Sequence, residues 1–332
     1  MTAIIAPSNG SPSARTDRAA VVATGWGIHV PNVDLTDLVP QSGYGPACTA
    51  DRAYELLGRK GLLSKEPATR LALCAVHRAL HREPGSPRPG GAPDPRAAVV
   101  VSSNLGNVAT VHKVVRILRE ANVREISPLD APNASSNVIA STIAIWFRSG
   151  GPNLMVCSGA TSGLDALALG CTLLRAGRAD RVLVVGVEPD DEVAARLFRE
   201  NLARLGTTGE LRAGAACIVL ERSTETTAGM PVLGCCRPVT GSADLASLPR
   251  STVVIGPAEM APAGARVIDL SRRIGDLYGA LGVLQLAVGS AMTEVAPADP
   301  PSEWVLICGN RIEGWLLLPV SQDVLRIRSA AS

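Results

Sequence analysis

The sequence predicts an α/β fold in which strands and helices alternate and pack in layers, and three observations carry that expectation. Short runs of Val, Ile, Leu and Ala alternate with longer segments whose apolar residues recur at helical spacing. The 332-residue chain is 46% hydrophobic but only 3% aromatic, which implies a core of small aliphatic side chains of the kind that packs helices onto sheets. The stretch 151–175 runs from a Gly-Pro turn through a short apolar strand and a turn of small residues directly into an Ala/Leu-rich helix.

Residues 1–18 are polar, rich in Ser and Pro, and lack a secretory apolar run, so they are expected to be disordered ahead of a domain spanning 19–332. Residues 19–28, ending on Gly25-Trp26-Gly27, read as a first core strand; Pro31, Pro40, Gly43 and Gly45 then mark a loop. Leu71, Cys74, Ala75, Val76 and Leu80 have helical spacing across 67–81. The Pro/Gly-rich stretch 84–95 is a surface loop, and 97–102 the next buried strand. Residues 104–120 predict an amphipathic helix, with Val108, Val111, Val114, Val115 and Leu118 on one side and His112, Lys113, Arg116 and Arg119 on the other. Residues 130–137 cap a helix at 138–147. Strand 154–157, the elbow, helix 164–175, strand 182–187, helix 192–205 and strand 213–221 follow. Beyond them come a strand at 253–257, a Gly/Ala-rich run at 275–282 suited to close helix packing, and tail strands at 303–308, 314–319 and 324–328.

Charge excludes some partners. Lys+Arg (32) and Asp+Glu (30) are interspersed and the net charge is +2, so neither nucleic acid nor an anionic membrane is an expected partner. No apolar run approaches the ~18 residues of a spanning helix, and a cytoplasmic location is expected. The eight cysteines lie scattered, mostly in apolar runs, and none forms a C-x-x-C pair; buried free thiols, no metal and no cofactor are the expectation. His77 and His81, one helical turn apart, lack a third ligand at matching spacing. Glu188, Asp190, Asp191 and Glu192 lie between a strand and a helix, where acids meet the positive end of the helix dipole, so capping is expected of them.

The elbow is where chemistry is expected. A strand–turn–helix junction lifts one side chain to a helix N-terminus, where unpaired N–H groups stabilise an anionic nucleophile or an oxyanion. Its tip here is Ala160, which has no reactive group, flanked by Ser158, Thr161 and Ser162. Cys157 is expected at the end of a buried strand, without exposure or a cation to activate it.

Gly151-Pro152-Asn153, the apolar strand, the elbow with Ser162-Gly163, the helix closing on Arg175-Ala-Gly-Arg-Ala-Asp180 and the strand 182–188 together resemble the β-ketoacyl synthase family of the thiolase fold. That family's elbow reads Thr-Ala-Cys-Ala-Ser-Gly; laid on residues 158–163 it puts Ala160 at the catalytic Cys position. Gly163-Leu164-Asp165-Ala166-Leu167 is similar to the chain length factors of type II polyketide synthases, a non-catalytic branch in which that Cys is usually Gln. Residues 212–221 match the family's Glu-Gly-Ala-Gly-x-x-Val-Leu-Glu strand. Residues 269–282 resemble Ser-x-Lys-x-x-x-Gly-His-x-x-Gly-Ala-x-Gly, keeping Gly275, Gly279, Ala280 and Gly282 but carrying Asp276 at the second His position. No His follows strand 253–257, where the family's His-Gly-Thr motif would stand, and all four His lie at 29, 77, 81 and 112.

The resemblance implies a thiolase-like α/β/α/β/α five-layered sandwich of two pseudo-repeated halves, about 19–210 and 211–332, the second shortened. It implies a catalytically silent ketosynthase homologue, with no catalytic residue, that heterodimerises with an active ketosynthase as its chain length factor. The further partner is an acyl carrier protein bearing an acyl or malonyl thioester. Val111 and Val115 would border the partner's acyl tunnel, and Asn133, Trp146, Phe147, Met155 and Cys157 the interface. Valines in place of aromatic stoppers, with a trimmed second half, point to a highly reducing, polyene-forming system. The alternative is a ketosynthase-like acyltransferase using Cys157, Ser158 or Ser162 to move an acyl group from a carrier protein to an amine or alcohol.

Overall fold

In the computed structural model the described residues are 20–39, 45–224 and 266–295, with the short pieces 232–233, 237–239, 253–258, 261, 264, 304–306, 314–316 and 319–320. The expected disorder of 1–18, the tail strand at 324–328 and Cys235, Cys236 and Cys308 lie outside them.

The chain order is β1 (Val21–His29), α1 (Tyr54–Leu57), α2 (Pro67–Ala79), β2 (Ala97–Ser102), α3 (Val108–Glu120), α4 (Asp130–Asn133), α5 (Val138–Phe147) and β3 (Asn153–Val156). It continues with α6 (Ser162–Arg175), β4 (Arg181–Glu188), α7 (Glu192–Arg204), β5 (Gly214–Arg222), β6 (Val232–Leu233), β7 (Arg237–Val239), β8 (Val253–Ile255) and β9 (Arg266–Ile268). The last elements are α8 (Leu270–Ile274), α9 (Leu281–Val295), β10 (Trp304–Leu306), β11 (Gly314–Leu316) and β12 (Pro319–Val320).

Seven strands form the main sheet in the order β12-β6-β1-β5-β4-β2-β3. The strand β2 runs parallel to β3 and β4, whereas β4–β5 and β5–β1 are antiparallel. Period-two alternation splits the central strands between two cores. Val99, Val101, Leu183, Val185, Cys217 and Val219 face α2 and α5. Ala98, Val100, Val182, Val184, Ile218 and Leu220 face α6 and α9. Burial on both faces is why these strands are unbroken aliphatic runs rather than half-polar ones.

The second core also takes in Val253, Ile255 and Ile268 from the small parallel sheet β10-β8-β9, so helices α6 and α9 lie between two sheets. Four layers therefore follow one another among the described residues: α2 and α5, the large sheet, α6 and α9, and the small sheet. The helix α6 meets the start of α9 backbone to backbone, as the Gly/Ala run led one to expect. A Cβ at Gly163 would stand 2.9 Å from the Gly279 carbonyl oxygen, and one at Gly282 would stand 2.8 Å from the Leu164 nitrogen.

Candidate functional site

The strand β3 ends at Val156, and Gly159, at φ +83°, turns the chain into a 3-10 turn, Gly159–Thr161, that feeds α6. Only glycine takes that φ without strain, so the turn is written into the sequence. The Asn104 side chain grips it from the side: its Oδ1 accepts the Gly159 N–H at 3.0 Å and its Nδ2 donates to the Gly159 carbonyl at 3.0 Å.

Asn104 is held in turn by Glu188, at the end of β4 and fully buried. Glu188 Oε1 accepts the Asn104 N–H at 2.7 Å, while Oε2 accepts the Leu105 N–H at 2.9 Å and the Ser103 hydroxyl at 3.2 Å. Burial outweighs these donors and pushes the carboxyl up to about 7. This corrects the expectation that Glu188 is a helix-capping acid. Capping falls to Asp191 alone, which accepts the Val193 and Ala194 N–H groups at 3.0 and 3.1 Å. The strand-end position of Glu188 hid its role, because its partners lie some 85 residues earlier, after β2.

The facing wall is the turn 276–280. The Asp276 side chain is turned to its own backbone, with Oδ1 accepting the Tyr278 N–H at 2.6 Å, and burial raises its carboxyl. Tyr278, at φ +44°, aims its hydroxyl at the elbow, 3.9 Å from where a Cβ of Gly159 would stand. Asn201 donates to that hydroxyl at 3.3 Å, and the Phe198 ring packs edge-on at 5.3 Å. Sequence reading passed over Tyr278, an unspecified position of the 269–282 motif, and Asn104 and Asn201, whose contacts with the elbow and with Tyr278 are long-range and carry no motif.

The flanking groups are occupied. Ser162 is buried, donating to the Val156 carbonyl at 2.9 Å and accepting from Ser102 at 2.8 Å. The Ser158 hydroxyl donates to Asp165, which also accepts from Thr161 at 3.3 Å. Cys157 is exposed, against the expectation of a buried position. Burial of the sulfur itself, then the Glu188 carboxylate, raises its thiol, which donates to the Ser103 carbonyl at 3.0 Å. None of the four His lies on an element that forms the elbow: His77 pairs with the Glu83 carbonyl at 3.0 Å, His81 sits past the end of α2, and His112 is exposed on α3. The elbow thus joins a positive-φ glycine turn to the start of α6, with the half-buried Ala160 in the turn and the Ser158, Thr161 and Ser162 hydroxyls engaged within the chain.

The outward-facing candidates sort in two. On α3 only Thr110 is buried; Val108 packs on the cluster around Phe198, while Val111 and Val115, each 38% exposed, and Leu118, 53%, are left uncovered by the described residues. On α5, Trp146 and Phe147 point inward to the chain's own core, with the Arg88 guanidinium 3.4 Å from the Trp146 ring centroid. Asn133 is buried too, its amide donating to the Ser64 carbonyl at 2.8 Å. The exposed residue on α5 is Ile145, at 73%, which the sequence reading missed because the helix is apolar on most of its sides. Ile145 and Asn153 border a groove of about 370 Å³ beside β3, the free edge of the main sheet and the strand that carries Met155. Met155 itself is half-buried against the α2–α5 core.

Away from the elbow, Cys48 and Cys74 are not scattered thiols but neighbours. A ring nitrogen of His29 and the two sulfurs lie within 4.8 Å of one another. The Cys74 thiol, and then His29, hold Cys48 low, at about 5. Among the described residues no helix is long and apolar enough to cross a membrane.

The family model "Beta-ketoacyl synthase, N-terminal domain" matches residues 48–223, more than half of the chain. Two curated relatives, the 3-oxoacyl-[acyl-carrier-protein] synthases 2 of Coxiella burnetii and Vibrio cholerae, are each 27% identical over 94 and 93 residues, 28% of this chain. These matches span 23% and 22% of the relatives' own length. Solved structures extend the likeness in fold. A type II polyketide synthase acyl-carrier protein in complex with its ketosynthase bound to the hexaketide aligns with TM-score 0.71 and 16% identity, over 92% of this chain and 99% of that one. The ishigamide ketosynthase/chain length factor aligns at 0.65 and 19%, over 91% and 99%. A β-ketoacyl synthase from Burkholderia phymatum aligns at 0.62 and 15%, over 91% and 99%.

Proposed function

The chain belongs to the β-ketoacyl synthase family, and from that premise we propose that it is a catalytically silent member acting as the chain length factor of a type II polyketide synthase. The observation that carries this reading is an elbow kept in shape by the Asn104–Glu188 bracket while its tip is Ala160. Decarboxylative condensation needs a thiolate to carry the acyl chain and imidazoles to stabilise the enolate. Ala160 and Asp276 occupy two of those positions. A turn held in shape without a nucleophile at its tip is what a subunit needs when its fold, rather than its chemistry, is the function.

In this reading the chain pairs with an active ketosynthase through its free sheet edge, β3, beside Ile145 on the adjoining α5, with the exposed valines of α3 as further apolar surface. Unpaired strand backbone and exposed apolar side chains of this size favour association. Val111 and Val115 then border the tunnel in which a carrier-bound acyl chain grows, and their small size suits a long reduced chain. Co-expression with a Cys-bearing ketosynthase, followed by light scattering and an elongation assay on carrier-bound malonate, tests this: a one-to-one complex that extends chains only when both subunits are present is expected.

The exposure of Cys157 favours one second reading, an acyltransferase with Cys157 as nucleophile. A thioester probe that acylates wild type and not Cys157→Ser would support it.

A further inference from the structure

The cluster of His29, Cys48 and Cys74 has no part in the function proposed above, and it is built by the backbone. Gly25 and Gly27 let α2 lie directly on β1: a Cβ at Gly27 would stand 2.1 Å from the Ala75 carbonyl oxygen, and one at Gly25 2.4 Å from that of Ala79. That close approach sets Cys74, in the middle of α2, beside His29 at the end of β1. The segment before α1 brings the third group. Arg78 Nη2 donates to the Gly45 carbonyl at 2.9 Å and Arg70 Nη1 to the Ala50 carbonyl at 3.4 Å, which holds Cys48 over the other two.

His29 and Cys74 are fully buried, Cys48 only partly, so the group is reached from the Cys48 side. His29 Nε2 lies 2.9 Å from the Cys48 carbonyl oxygen and 3.8 Å from the Cys48 sulfur. Its Nδ1 is buried with no hydrogen-bond partner. A buried ring nitrogen without a partner leaves the imidazole free to take one. A tetrahedral zinc ion, with Zn–S about 2.3 Å and Zn–N about 2.0 Å, sets its ligand atoms roughly 3.5–3.8 Å apart. The two sulfurs and one nitrogen of the His29 ring already lie within 4.8 Å of one another.

We propose that His29, Cys48 and Cys74 form a binding site for a thiophilic cation of the zinc class, one per chain, with water in the fourth position. Binding forms two S–metal bonds and one N–metal bond and releases to solvent whatever thiol protons the two sulfurs still carry. Two thiolates and a neutral imidazole then offset the dication, so the buried site carries no net charge. The donor set, two sulfurs and a nitrogen with no carboxylate, selects against magnesium and calcium. The ion ties the segment around Cys48 to β1 and α2, at the edge of the α2–α5 core that supports the main sheet.

The test uses the full chain, purified under reducing conditions alone or with the ketosynthase that keeps it soluble, and titrated with Co²⁺ and then Zn²⁺. Expected are thiolate-to-cobalt charge-transfer and tetrahedral d–d bands saturating at one cobalt per chain, their displacement by zinc, and a higher unfolding temperature with zinc. Cys48→Ser abolishes the bands and the thermal shift, His29→Gln weakens cobalt binding at least tenfold, and Cys157→Ser leaves both readouts unchanged. Cys48 is the decisive position because a serine in the deep core at Cys74 threatens folding by itself. Absence of the bands, bands that persist in Cys48→Ser, or a Cys48–Cys74 disulfide that forms in air equally fast with and without zinc would each overturn the proposal.

Discussion

The elbow and the His29–Cys48–Cys74 pocket are opposites. At the elbow every backbone feature of a reactive centre is present: a glycine at positive φ, a helix N-terminus, and a clamping amide on a buried carboxylate. Its tip is a methyl group. In the pocket the backbone is ordinary, a strand end against a helix, while two thiols and an imidazole converge. Backbone geometry and reactive side chains are therefore separable: the glycines and the Asn104–Glu188 bracket shape the elbow whatever residue stands at position 160. On the proposed reading, that shape is what the central turn contributes.

Removing what keeps the elbow in shape should hurt most. Gly163→Val places carbon against the Gly279 carbonyl oxygen and the Gly282 backbone, where nothing flexible can yield. A loss of about 3 kcal/mol, seen as a large fall in soluble yield and unfolding temperature, is expected.

Next in size is Glu188→Ala, which strands the buried Asn104 and Leu105 N–H groups and frees the Asn104 clamp. A loss of about 2 kcal/mol in all is expected in chemical denaturation, since the part-buried Asn104 N–H can still reach water. The same residue carries a pH signature. Its folded-state pKa, about 7, is raised above an ordinary 4.5, so between those values the folded state binds more protons than the unfolded state. The Glu188 contribution is therefore most favourable below pH ~4.5, declines as pH rises, and is lost above ~7, at roughly 1.4 kcal/mol per pH unit at most. Glu188→Gln should flatten that slope in stability measured from pH 5 to 8.

Ala160→Cys should be almost silent for stability, within about 0.5 kcal/mol, since the tip is only partly buried. The new thiol, at a helix N-terminus, should alkylate faster than Cys157, whose thiol is raised. It should not restore condensation, because no imidazole faces it. Smaller still in folding terms is Val111→Phe or Val115→Phe on the uncovered side of α3; stability should be unchanged while the product of the assembled pair becomes shorter.

Much of this was legible beforehand, and the reasons differ by region. The central strands are aliphatic runs with period-two burial, and the elbow has a Gly-Pro start, a small-residue turn and a helix, so local pattern was enough to place them. The gap at Ala160 could be read because the surrounding motif is contiguous. Glu188 was misread because a strand-end acid beside a helix resembles a cap, and only the fold brings residues 103–105 over it. Cys48 and Cys74 were read as isolated because their partnership depends on Gly25 and Gly27 drawing α2 onto β1, a contact with no sequence spacing. Trp146 and Phe147 were placed near the interface by the resemblance alone, and a helix apolar on most of its sides gives little periodicity to orient it, leaving Ile145 unnoticed.

The most direct test of the central claim is reconstitution: this chain and a Cys-bearing ketosynthase, each purified or co-purified, assayed for carrier-bound chain elongation singly and together. The account predicts a one-to-one complex, activity only in the mixture, and the same activity when this chain carries Cys157→Ser. Elongation or acyl transfer by this chain alone, abolished by Cys157→Ser, would contradict it.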